Sequence, residues 1–182
     1  MGELSPVGSR VVVRQTQQAL ARHYRLNVAY VSGGLETENH KDLNLVATQT
    51  LAQHLKQYYV HVNVASGQQS LQAALKQAAQ QGDQLLFFPR IERWPNIKPI
   101  RVHQCEDERG GITPSLKECD HDDSQKTSDD LVLTIAIFDV VGQMQVDSIT
   151  ARSSLGVKSY LYEDSLNELD VLNEMVIQRL AP

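Results

Sequence analysis

Nothing in this 182-residue chain approaches the run of about 20 apolar residues needed to span a bilayer as a helix. Basic residues are also scarce: 17 Lys and Arg face 22 Asp and Glu, for a net charge of −5. That balance offers no basic face, so sequence-independent binding to nucleic acid has little electrostatic support. No Gly-x-Ser-x-Gly, His-Glu-x-x-His, Walker or dinucleotide-binding signature occurs. With no motif for nucleophilic, zinc-dependent or phosphate-binding chemistry, no enzymatic activity and no cofactor are indicated. Cysteine is limited to two residues and tryptophan to one. What remains is 41% apolar and 21% charged, the composition of one ordinary globular domain across residues 1–182.

The charge that is present is concentrated. Between His103 and Asp130, nine acidic residues oppose three basic ones, a net of −6 that leaves the rest of the chain near +1. This acidic insertion, residues 99–129, contains both cysteines in a mirrored arrangement: His103-x-Cys105, thirteen residues, then Cys119-x-His121. Three chemistries suit it. A Cys105–Cys119 disulfide would close a loop of about 15 residues and contribute roughly 3 kcal/mol in the chain-entropy model. In a reducing compartment both would be free thiols. If the two flanks pair as strands, residues i and i+2 share a face, and His103, Cys105, Cys119 and His121 could converge on a zinc ion. The nearby Asp120, Asp122 and Asp123 do not have the spacing of an EF-hand loop and read as a solvated acidic loop. Pinned at its base, such a loop would suit a basic partner surface or divalent cations.

Around the insertion, the pattern predicts an α/β fold. Leu26–Val31 reads as a buried strand ending at Ser32-Gly33-Gly34. From Asp42, apolar residues at Leu43, Val46, Ala47, Leu51, Leu55 and Tyr58 have helical spacing. Val60, Val62 and Val64 alternate as a strand, Leu71 to Ala79 repeats as a helix, and Leu85–Phe88 begins another strand. Strand-helix-strand units at this spacing predict parallel pairing. Leu131–Val141 is so continuously apolar that it predicts a central strand buried on both faces. Gly142 ends it, and a strand from Met144 forms an antiparallel hairpin with it. Ser165 and Glu168 have capping-box spacing at the start of a terminal helix. Residues 1–25 read as an arm, with a short strand at Val11–Val13 and a helix carrying Ala19, Leu20 and His23. The expected whole is a mixed five-stranded sheet, parallel first and antiparallel later, with three to four helices packed on it.

Two further candidates stand in this frame. Gly33 and Gly34, at the carboxyl end of a parallel strand and before a helix, lie where open α/β sheets bind small ligands or nucleotides, although a plain exit turn is the simpler reading. Trp94 fits either packing at the sheet edge or contact with a partner. His54 and His61 flank Tyr58-Tyr59 with no carboxylate or serine placed beside them by the sequence.

The pieces Phe87-Phe-Pro-Arg-Ile-Glu-Arg-Trp94, Phe138-Asp139-Val-Val-Gly142 and Ser148-Ile-Thr-Ala-Arg-Ser153-Ser154, in this order, resemble an uncharacterised family of small bacterial lipoproteins known by a domain-of-unknown-function label. More distantly, the arrangement is similar to the amino-terminal domain of TolB and the periplasmic domain of CsgG. The resemblance covers roughly Leu26 to Leu180. It implies a non-catalytic module on the periplasmic face of the envelope, lipid-anchored through a cysteine outside this chain, with an envelope protein or component as partner. The acidic insertion departs from that family, so any role it has is not implied by the resemblance.

Overall fold

The computed structural model describes residues 10–32, 35, 42–95, 104–106, 112–114, 129–155 and 162–182. It is a mixed α/β fold. Strands β1 (Arg10–Arg14), β2 (Arg25–Val28), β3 (His61–Val64), β4 (Leu85–Arg93), β7 (Asp130–Asp139) and β8 (Met144–Ser154) make one six-stranded sheet in the order β1-β8-β7-β4-β2-β3. A separate two-stranded sheet pairs β5 (Gln104–Glu106) with β6 (Ile112–Pro114). The helices are α1 (Leu43–Tyr58), α2 (Leu71–Gln80) and α3 (Tyr162–Leu180). The strand beyond the expected five is β1, which joins the sheet edge antiparallel to β8.

Strand β2 lies between β3 and β4 and is parallel to both. The connection through α1 leaves β2 in one direction, and the connection through α2 returns across it. Right-handed crossovers therefore place the two helices on opposite faces. Helix α1 starts where Asp42 accepts from the Asn44 and Leu45 N–H groups, and α2 starts where Ser70 accepts from the Ala73 N–H. Helix α3 packs beside α1, against β1 and β8. The main core lies between the α1/α3 layer and the sheet, around Leu26, Leu51, Leu55, Phe87, Leu133, Ile135, Ile149 and Leu172. A smaller core under α2 joins Ala29, Ala74, Ala78, Leu86 and Val140.

Because α2 reaches only part of the second face, β7 is central but buried on one side. Leu131, Leu133, Ile135 and Ile137 are buried under the helices, while Val132, Thr134, Ala136 and Phe138 on the other face are only half-buried. The expectation of burial on both faces is thus corrected. Continuous apolarity reflected a strand in the middle of a sheet with one partly open face.

Two helix expectations also change. Residues 15–24 form no helix; the segment is fixed by tertiary bonds, with the Leu20 N–H donating to the Leu180 carbonyl and the Tyr59 hydroxyl donating to the Leu20 carbonyl. Ser165 lies inside α3, which begins three residues earlier, so it does not cap the helix. Strand β4 accommodates Pro89 because β2 ends opposite Phe87. Phe87 and Ile91 turn their backbone groups to the β2 side, where Phe87 O accepts from Ala29 and the Ile91 N–H is met by the Asn44 side chain. Pro89, between them, lacks an N–H at a point where no strand would have received it.

Candidate functional site

The carboxyl ends of β2 and β3 are the place where the sequence suggested a small-ligand site. Gly33 and Gly34 lie outside the described residues. Beside them, the Asp42 carboxylate occupies the N-terminus of α1, bonded to Asn44 and Leu45 N–H groups. It also accepts from the Tyr30 hydroxyl, and Gln68 Nε2 donates to both at 3.1 Å. A carboxylate already satisfies the positive helix end that would otherwise attract a phosphate. Among the described residues, the geometry here closes a crossover.

The mirrored Cys/His constellation is divided. Cys105 lies in β5, whereas His103, Cys119 and His121 lie outside the described residues, as do Asp120, Asp122 and Asp123. The partner of Cys105 in the β5–β6 ladder is Thr113. The zinc reading required the His103–Cys105 flank to pair with the Cys119–His121 flank. Of that pairing the described residues include only the Cys105 side, where β5 pairs with β6. Among the described residues, no cluster of His, Cys, Asp and Glu is arranged to hold a metal.

Trp94 follows β4, is 2% exposed and belongs to the main core. Its ring is therefore a packing element and not a surface for a partner. His54 does have a carboxylate, Asp170 of α3, with Nε2 and Oδ1 3.2 Å apart across the α1–α3 contact. His61 opens β3 and is exposed. The Asp139 carboxylate accepts from the Gly142 N–H at 2.7 Å and serves the β7–β8 turn, where Gln143 has φ of 52°.

The features that sequence reasoning missed gather at the β1 edge. Side chains alternate along Arg10-Val11-Val12-Val13-Arg14, which puts the two arginines and Val12 on the helix-covered face. Arg10 Nε and Nη2 donate to Glu168 of α3 at 2.6 and 3.1 Å, and Ser153 Oγ donates to the same carboxylate at 2.6 Å. This gives the Ser153-Ser154 piece a structural role. Arg14 donates to Asp147 at 2.7 Å and to the Arg179 and Gln18 carbonyls. Burial alone would raise the Asp147 carboxyl, but bonds from Arg14, Thr16 and the Ser148 N–H outweigh it and hold that group below its usual value. A cavity of about 160 Å³ beside this pair, lined also by Tyr24, Leu85 and Ile137, is small for a ligand, and each nitrogen of the Arg14 guanidinium near it already donates one bond.

With the arginines turned inward, the outer face of β1 is apolar. Val11 is 48% and Val13 60% exposed. Beyond the end of β1, Val141 at 90%, Met144 at 60% and Val146 at 42% continue the exposure along the turn and the start of β8. Of the seven exposed large hydrophobic residues described, two thus lie on β1 itself and three on the β7–β8 turn and the start of β8.

No protein-family model and no curated protein matches the chain. Among solved structures, the fold is similar to PelC from Paraburkholderia phytofirmans, crystallised as a dodecamer, with a TM-score of 0.63 at 18% identity, covering 96% of this chain and 99% of that one. A dodecamer of a single-substitution variant of that protein matches with a TM-score of 0.61 at 18% identity, over 94% and 99% of the two chains. At this identity the likeness is one of fold, and it runs the full length of both chains.

Proposed function

We propose that this chain is a non-catalytic, self-assembling module of the bacterial cell envelope, whose first partner is another copy of itself. The observation that carries the reading is the end-to-end correspondence with a protein that crystallises as a dodecamer, in a chain whose edge strand β1 exposes Val11 and Val13. The envelope assignment rests on the resemblance to small bacterial lipoproteins; in that setting the module faces the periplasm, is held by a lipid anchor, and meets an envelope protein or component. Cys105 and Cys119 are then in an oxidising compartment and form a disulfide. Small-ligand binding at the β2 and β3 ends is the weaker reading, because Asp42 already fills the helix end there.

Native mass spectrometry of the purified chain tests the assembly. The expected result is a discrete multiple of the 20.4 kDa chain; a single 20.4 kDa species at every concentration overturns it. Cell fractionation followed by alkylation with and without reductant tests the setting. A periplasmic-face protein with no alkylatable thiol before reduction is expected, and two free thiols in that fraction would count against the disulfide.

A further inference from the structure

We propose that the β1 edge of the sheet, with Val11 and Val13 at its centre, is the surface on which a second copy of this chain docks; this rests on the self-assembly reading above. An open edge strand is a template for another chain, and monomers usually blunt it with outward lysine, proline, a bulge or an inward charge. Strand β1 has no outward charge between Arg10 and Arg14, no proline, and an unbroken register with β8. Its two arginines do point inward. An inward charge guards an edge because a docking neighbour would bury it unpaired. Here Arg10 already has Glu168 and Arg14 already has Asp147, so covering this edge leaves neither cation without its carboxylate. The guard is disarmed.

The surface next to β1 supports the same occupant. On the face carrying Val11 and Val13, the partner residues on β8 are Arg152 and Thr150, and the next strand contributes Val132 and Thr134, half-buried and under no helix that the described residues supply. Arg152 is bonded to Asp130, so this face carries a neutral pair and not a net charge that would repel an identical copy. The other sheet edge differs. Strand β3 is four residues long, begins at an exposed histidine, and engages Asn63 with Asp83. Repeated use of a β1-edge contact between copies gives the closed or extended assemblies that identical subunits form.

Sedimentation velocity of the full chain and of three substitutions tests this. Val11→Lys and Val13→Lys each place a charge in the contact and are expected to weaken assembly by about tenfold or more, shifting mass toward 20.4 kDa. Val60→Lys, 77% exposed beside the opposite edge, is expected to leave assembly unchanged. If a lysine variant loses its folded circular dichroism, the double variant V11T/V13T keeps β-branched side chains in the strand and is read in its place. Assembled, folded variants at both positions overturn the β1 contact while leaving self-assembly standing. Equal loss on Val60→Lys overturns it as well. A wild-type chain that is monomeric throughout removes both proposals together.

Discussion

The sheet consists of two halves built under different rules. The parallel half, β3-β2-β4, is made by crossovers whose helices fall on both faces, so its central residues are enclosed: Leu26, Val28, Leu86 and Phe87 are all fully buried. The antiparallel half, β7-β8-β1, is made by hairpin and edge pairing and, among the described residues, has α3 packed on one face. The parallel half satisfies its polar groups internally, through Asp83 accepting from Asn27 and Asn63. The antiparallel half ties its last strand to the helix layer by two arginine–carboxylate pairs and leaves valines outside. Local chain connectivity thus decides which half is finished by the chain itself and which has surface to offer.

The sharpest way to break this contrast is to shorten one residue from each half on the same sheet face. Leu86→Ala, fully buried under α2, is expected to cost about 2–5 kcal/mol in denaturant unfolding. Val132→Ala, half-buried on the open part of that face, is expected to cost well under about 1 kcal/mol in the dissociated chain. Equal losses would mean that both halves are enclosed alike. Next in size is Asp147→Ala, which leaves the buried Arg14 guanidinium without its carboxylate. A loss of about 3 kcal/mol is expected, with β1 amides exchanging faster than those of β4. In the parallel half, Asn63→Ala removes one donor to a buried carboxylate that keeps Asn27, and about 1 kcal/mol is expected from thermal melting.

The smallest effect at neutral pH concerns Tyr59. Its hydroxyl is buried; burial, then the adjacent Tyr58, push it up to about 12, with Arg14 pulling the other way. Since the folded state holds this proton more tightly than the unfolded state, whose tyrosine titrates near 10, the stability it confers is complete below about pH 10 and declines from there towards pH 12. Tyr59→Phe is therefore expected to flatten the alkaline limb of a melting-temperature profile. An unchanged limb would show that other groups set it.

Much of the parallel half was legible because its signals are local. The apolar repeats beginning at Leu43 and at Leu71 each lie within one short stretch of chain, and both helices begin there. The antiparallel half depends on partners distant in sequence. The run Leu131–Val141 could not announce which face a helix from the other end of the chain would cover. Arg10 and Arg14 read as charged flanks of a short strand, and only Glu168 and Asp147, more than 130 positions away, turn them inward. Separation in sequence likewise hid His54–Asp170. Residues 15–24 showed a helical apolar repeat, yet bonds to Leu180 and Tyr59 fix them as a loop. The Cys/His constellation was legible as a motif, and of its four side chains only the Cys105 position falls within the described residues.

The proposed completion of the antiparallel edge by another copy can be read at the contact itself, by amide hydrogen exchange on assembled and diluted protein. Peptides covering β1 and the start of β8 are expected to be protected in the assembly and to lose that protection as the chain dissociates, while β3 peptides stay the same. Protection that appears at β3 on assembly, with β1 indifferent to concentration, would contradict it.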